Sequence, residues 1–118
     1  MGLILSQYLR GYKYLHERKN RRSETPIQVR IEGKVYHALD WSFGGIRIGG
    51  YEGGLQPEWE TRVEAVGLET GPLAMINQLC RVVWVKPVSK ELALTFDGLS
   101  QRSYNVFEGL TMNRLRTS

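Results

Sequence analysis

Two short stretches hold the residues best suited to chemistry. Arg18-Lys19-Asn20-Arg21-Arg22 sets two guanidinium groups four positions apart, an R-x-x-x-R spacing. Asp40-Trp41-Ser42-Phe43-Gly44-Gly45 sets a carboxylate, a hydroxyl and a glycine at D-x-S-x-x-G spacing. Guanidinium forks onto anion oxygens and stacks on planar rings. A carboxylate accepts from N–H donors, a hydroxyl both donates and accepts, and glycine permits close backbone approach or a positive φ. These are tools of recognition. Each stretch also has a plainer reading, since Asp40 and Ser42 could cap a turn. Arg18 and Arg22 could be surface charges paired with Glu17 or Glu24, at under ~1 kcal/mol per pair.

Charge placement bears on the first stretch. Between Arg10 and Arg22 lie Arg10, Lys13, Arg18, Lys19, Arg21 and Arg22 against Glu17 alone, a local sum of +5 in a chain of net charge +4. The excess positive charge therefore belongs to one N-terminal segment. An anionic partner docking there and a solvated basic arm are equally compatible with charge alone.

Other chemistries find little support. His16 and His37 have no cysteine or carboxylate cluster at ligand spacing, so no metal site and no cofactor are expected. A single cysteine, Cys80, excludes an internal disulfide and sits in an apolar run as a buried, inert thiol would. His37, Asp40 and Ser42 are triad residue types, but three positions along a regular strand would put His37 and Asp40 on opposite faces. The glycine pairs between Gly44 and Gly54 fit no phosphate-cradling pattern. The chain is expected not to be an enzyme. No apolar stretch approaches the ~20 residues that cross a bilayer, and no secretory signal is read at Met1 to Leu5. A cytoplasmic address is expected.

The elements that must position these residues follow from periodicity. At 118 residues, 42% hydrophobic and 24% charged, the chain suits one globular domain. Leu5, Tyr8, Leu9, Tyr12 and Leu15 recur at helical spacing over residues 3–17, although Gly11 weakens that helix. Pro26 marks the change to extended chain. Ile27, Val29 and Ile31 then alternate with polar residues, Glu32-Gly33 supplies a turn, and a second strand runs from Lys34 to Asp40. Ser42 to Gly45 breaks the chain before a short strand bearing Ile46 and Ile48. A glycine-rich loop is expected from Gly49 to Pro57. Further strands are predicted at Trp59 to Leu68, Met75 to Val85 and Lys90 to Phe96, with Leu79 to Val85 read as a core strand. Ser100 is placed to cap a closing helix near Gln101 to Leu115.

The order of these parts resembles the PilZ family: an arginine pair before a first strand, a hairpin, then the Asp-Ser-Gly turn. The resemblance runs from about Glu17 to Ser100. It includes Ile27 to Ile31, the double glycine followed by Ile46-Arg47-Ile48, and the run Leu94-Thr95-Phe96-Asp97-Gly98-Leu99-Ser100. It implies a mainly β fold, a small antiparallel split barrel of six to seven strands with an N-terminal helical arm and a C-terminal helix. The division would be 1–16 arm, 17–100 barrel and 101–118 helix.

It also implies a receptor for the bacterial second messenger cyclic di-GMP, with Arg18, Arg22, Asp40, Ser42 and Gly45 as ligand positions. Lys19, Arg21 and Trp41 are possible auxiliaries. The ligand's two phosphodiesters and two guanine edges suit guanidinium forks and a carboxylate acceptor. Ligand binding would order the arm across the barrel mouth and signal to an effector protein in motility, polysaccharide synthesis or pilus assembly. Trp41 and Phe43 could pack beneath the rim or meet a guanine face, and Glu17 leaves one bound ligand or a stacked pair open. The rivals are a ligand-independent PilZ-like adaptor and, with less support, a barrel for single-stranded nucleic acid. For the latter, Tyr8, Tyr12 and Tyr14 lie on the arm and not on a sheet face.

Overall fold

The computed structural model describes Ser23 and residues 25–117, the last five by backbone alone. The helical segment 3–17 and the basic residues Arg18, Lys19, Arg21 and Arg22 lie outside the described residues. Among the described residues six strands form, β1 (Ile27–Ile31), β2 (Lys34–Ser42), β3 (Gly45–Gly49), β4 (Glu60–Leu68), β5 (Ala74–Lys86) and β6 (Glu91–Thr95), followed by helix α1 (Gln101–Thr117). All pair antiparallel in the order β1-β2-β3-β6-β5-β4, and β4 pairs back to β1 to close a barrel. The mainly β barrel with a C-terminal helix is the expected architecture, with six strands.

Period-two alternation decides which side chains fill it. Ile27, Val29 and Ile31 of β1, Ile46 and Ile48 of β3, Val63 of β4, Val82 of β5 and Leu92 and Leu94 of β6 are all buried. Each such side chain contributes ~1.5–3 kcal/mol by leaving water. The β1–β2 turn is tight because Glu32 and Gly33 both take positive φ, 52° and 78°, as a type I′ hairpin turn requires.

β5 departs from the sequence reading. Leu79 to Val85 is not buried on both faces: Leu79 is 41% and Val83 43% exposed, between buried Cys80 and Val82. A strand of a closed antiparallel barrel has one inner and one outer face, and the apolar run spans both.

Helix α1 closes the end of the barrel where β2 turns into β3 and β6 ends. Ser100 caps it, its Oγ accepting from Ser103 N at 3.1 Å. The connection to α1 is fastened by buried Gln78, whose Nε2 donates to Gly98 O at 2.9 Å and whose Oε1 accepts from Ser100 N at 3.0 Å. Phe107, fully buried, then inserts beside Trp41, Phe43 and Phe96, with centroid distances of 5.4, 6.3 and 5.6 Å. No described helix is long and apolar enough to cross a membrane.

Candidate ligand-binding face

The Asp-Ser-Gly stretch is a hairpin. Ser42 pairs with Gly45, so only Phe43 and Gly44 make the turn; β2 runs two residues further than expected and β3 begins one earlier. Ser42 Oγ accepts from Gly44 N at 3.0 Å, bracing the turn locally. Gly44 O accepts from Phe96 N at 3.0 Å and from Thr95 Oγ1 at 3.2 Å, which ties the tip to the end of β6. Gly45 serves close approach: a Cβ there would stand 2.4 Å from Leu94 O. No substitution fits without moving backbone.

Asp40 faces outward because β2 carries a bulge. Ala38 pairs with Ile48 and Asp40 with Arg47, so Leu39 is the extra residue. Ile46 and Ile48 point inward, which sends Arg47 and its partner Asp40 outward. The bulge also corrects the expectation that His37 and Asp40 lie on opposite faces. With Leu39 extra, both sit on the outer side, yet with different partners. His37 Nδ1 meets Glu69 at 3.2 Å, while Asp40 Oδ2 accepts from Arg47 Nη2 at 2.7 Å and Nε at 3.1 Å.

Arg47 in turn donates from Nη1 to Glu91 Oε1 at 2.9 Å. The hydrogen bond to Asp40 above all, opposed by desolvation, holds this guanidinium's pKa above its ordinary value. Register extends the face sideways. Asp40, Arg47, Ala93 and Trp84 form one row across β2, β3, β6 and β5, and Ser42, Gly45, Thr95 and Arg81 form the next. At strand spacing each row covers about 15 Å. Lys86 Nζ sits 4.4 Å from the Trp84 ring centroid. Arg81 holds Glu58 and Asp97 by contacts of 3.4 Å each. Exposed pairs of that length contribute little, so Arg81 is readily redirected.

Trp41 packs beneath the rim. It is 1% exposed, stacks on Phe107, and donates from Nε1 to Thr25 O at 3.1 Å. Phe43 likewise packs inward, on Phe107 and on Tyr104 at 5.2 Å. Trp41's backbone pairs with Ser23 through two hydrogen bonds, N to O, of 2.7 and 3.1 Å. Ser23 is the residue directly after Arg22. Of the expected ligand positions, the structure thus brings together Asp40, Ser42 and Gly45, while Arg18 and Arg22 with auxiliaries Lys19 and Arg21 remain outside the described residues.

Sequence reasoning passed over Arg47, Arg81 and Trp84. Arg47 was within reach: counting back from a two-residue turn at Phe43-Gly44 pairs residue 40 with 47. Arg81 and Trp84 were not, because their neighbours depend on the β5–β6 bulge at Val82/Trp84. No group of three or more possible metal ligands occurs among the described residues.

Such a barrel, closed by six antiparallel strands and plugged by a C-terminal helix, is a small PilZ-like fold. No family model matches the chain, and no curated protein matches it significantly. Among solved structures it is similar to the inhibitor of motility MotI/DgrA of Bacillus subtilis, with a TM-score of 0.55 and 17% identity over 80% of this chain. The match covers 50% of that chain, so this protein spans about half its length. At that identity the likeness is one of fold.

Proposed function

We propose that this chain is a cyclic di-GMP receptor that works by binding, without catalysis, and signals to a partner protein in the cytoplasm. The observation that carries the reading is the Ser23–Trp41 backbone pair. It fixes the exit of the basic segment beside Asp40 and Ser42. By covalent geometry alone, the Cα of Arg22 lies about 3.8 Å from that of Ser23. Chain length alone limits Arg18, five residues before Ser23, to at most ~18 Å from it. A dinucleotide on the outer face would then meet the Asp40 carboxylate at a guanine edge and the Arg18 and Arg22 guanidinium groups at phosphate or guanine. Lys19 and Arg21 add positive charge, and Arg81 and Trp84 extend the face toward β5. Ordering the arm costs conformational entropy, which several charge-assisted bonds would offset.

The test is calorimetry with cyclic di-GMP. Micromolar or tighter binding is expected. Arg22→Ala and Asp40→Ala should each weaken it roughly ten- to a hundred-fold, the cost of losing one charged partner. Absence of heat from the dinucleotide would sink the reading. Salt-sensitive binding of oligonucleotides instead would establish the nucleic-acid alternative.

A second reading is the ligand-independent adaptor. What favours it is the Asp40–Arg47 ion pair, in which the carboxylate already has an internal cation. The same titration separates the two.

A further inference from the structure

We infer that Arg47 is the positioning residue that sets Asp40 for guanine, so that the guanidinium fork, and not its charge alone, determines affinity. The inference deepens the receptor reading and rests on it.

Arg47 is the direct cross-strand partner of Asp40, and its Nε and Nη2 both end on Asp40 Oδ2. Two bonds from a planar group onto one oxygen fix the carboxylate about its two side-chain torsions. The guanidinium is itself held from the far side, by Glu91 Oε1 on Nη1. Its other cross-strand neighbour is Ala93, a small side chain, two residues along β6 from Glu91. Asp40, Arg47 and Glu91 are all only partly exposed, at 17, 35 and 20% of their side chains, so the triad is ordered more firmly than a pair in open water.

The arrangement does two things for an anionic, guanine-bearing ligand. It holds the Asp40 carboxylate in one defined orientation, where a free carboxylate would first have to be ordered. It also leaves the triad with one net negative charge. Without Arg47, Asp40 and Glu91 would face a phosphodiester as two carboxylates. Lysine keeps the charge but offers a single point donor in place of a rigid fork. Arg47→Lys therefore separates orientation from charge.

The experiment is a double-mutant cycle on the full chain, read by calorimetry with cyclic di-GMP. Wild type, Arg47→Lys, Asp40→Asn and the double variant are compared, with thermal midpoints as a folding control. Arg47→Lys should weaken binding roughly ten-fold, on the scale of one charge-assisted bond, and have almost no effect in the Asp40→Asn background. Arg47→Gln, losing fork and charge together, should weaken binding further than Arg47→Lys. Equal losses from Arg47→Lys in both backgrounds, or no loss in either, would overturn the positioning role while leaving the receptor reading standing. A wild-type chain that binds no cyclic di-GMP would remove the receptor reading first, and this role with it.

Discussion

Trp41 stacks on Phe107 with ring centroids 5.4 Å apart and planes at 30°, although 66 positions separate them in the chain. The same tryptophan carries Asp40 and Ser42 on either side of it, and its backbone pairs with Ser23. One side chain thus ties the closing helix to the strand end that holds the candidate site. Removing Phe107 would empty the densest part of this cluster, where Phe43 and Phe96 also meet it.

Phe107→Ala is accordingly expected to lower stability by ~3–5 kcal/mol, the range for a buried aromatic replaced by a methyl group. Phe107→Leu should cost clearly less. Urea unfolding followed by tryptophan fluorescence measures both. A loss under ~1 kcal/mol for the alanine variant would show that α1 does not seat as described.

Gly45 gives a sharper steric test. A methyl group there meets the Leu94 carbonyl at 2.4 Å, a backbone atom that moves only by parting β3 from β6. Gly45→Ala should destabilise by ~1–3 kcal/mol and displace the Ser42 hydroxyl with the turn. Gly54→Ala, with nothing within 4 Å of the added carbon, is the neutral control. Equal unfolding midpoints for the two variants would contradict the close approach.

Gln78 is the buried polar counterpart. Its amide accepts from Ser100 and donates to Gly98 and Leu79, so truncation strands backbone groups at the start of α1. Gln78→Ala is expected to cost ~1–3 kcal/mol. Hydrogen exchange should show the first turn of α1 opening more readily while β1 and β4 keep their protection.

Much of this fold was legible in the chain, and the limits have physical causes. Alternation of Ile27, Val29 and Ile31 and the Glu32-Gly33 turn are local signals, and they placed β1 and β2 well. The Ser100 cap was equally local. What escaped was long-range. Whether an apolar residue of β5 faces in or out depends on its partners in β4 and β6, so Leu79 and Val83 were wrongly expected in the core. The bulge at Leu39 comes from the fit of β2 to β3, and it alone decides that His37 and Asp40 share a side. Gly45 showed itself as a glycine that mattered, but its reason, the Leu94 carbonyl, belongs to a strand almost fifty residues on. In the candidate site, Asp40 and Ser42 could be named from spacing and Arg47 by counting back from the turn, whereas Arg81 and Trp84 needed the β5–β6 register.

Cys80 supplies a test in pH. Burial raises its thiol from the ordinary 9.0 to about 12, and the S–H donates to Thr61 O at 3.4 Å. The folded chain therefore keeps a proton that the unfolded chain releases near pH 9. Below pH 9 both states hold it and stability does not depend on it. As pH rises from 9 toward 12 the unfolded state binds fewer protons, so stability falls across that window. Tyr36 and Tyr51, also raised chiefly by burial, add a similar loss above pH 10, so the thiol must be read by difference. Urea unfolding of wild type and Cys80→Ala between pH 8 and 10.5 should give curves that converge as pH rises, the wild type losing stability faster. Iodoacetamide at pH 8 should leave the native thiol unmodified and label it promptly in urea. Parallel curves, or rapid labelling of the native protein, would mean that the thiol is not shielded inside the barrel.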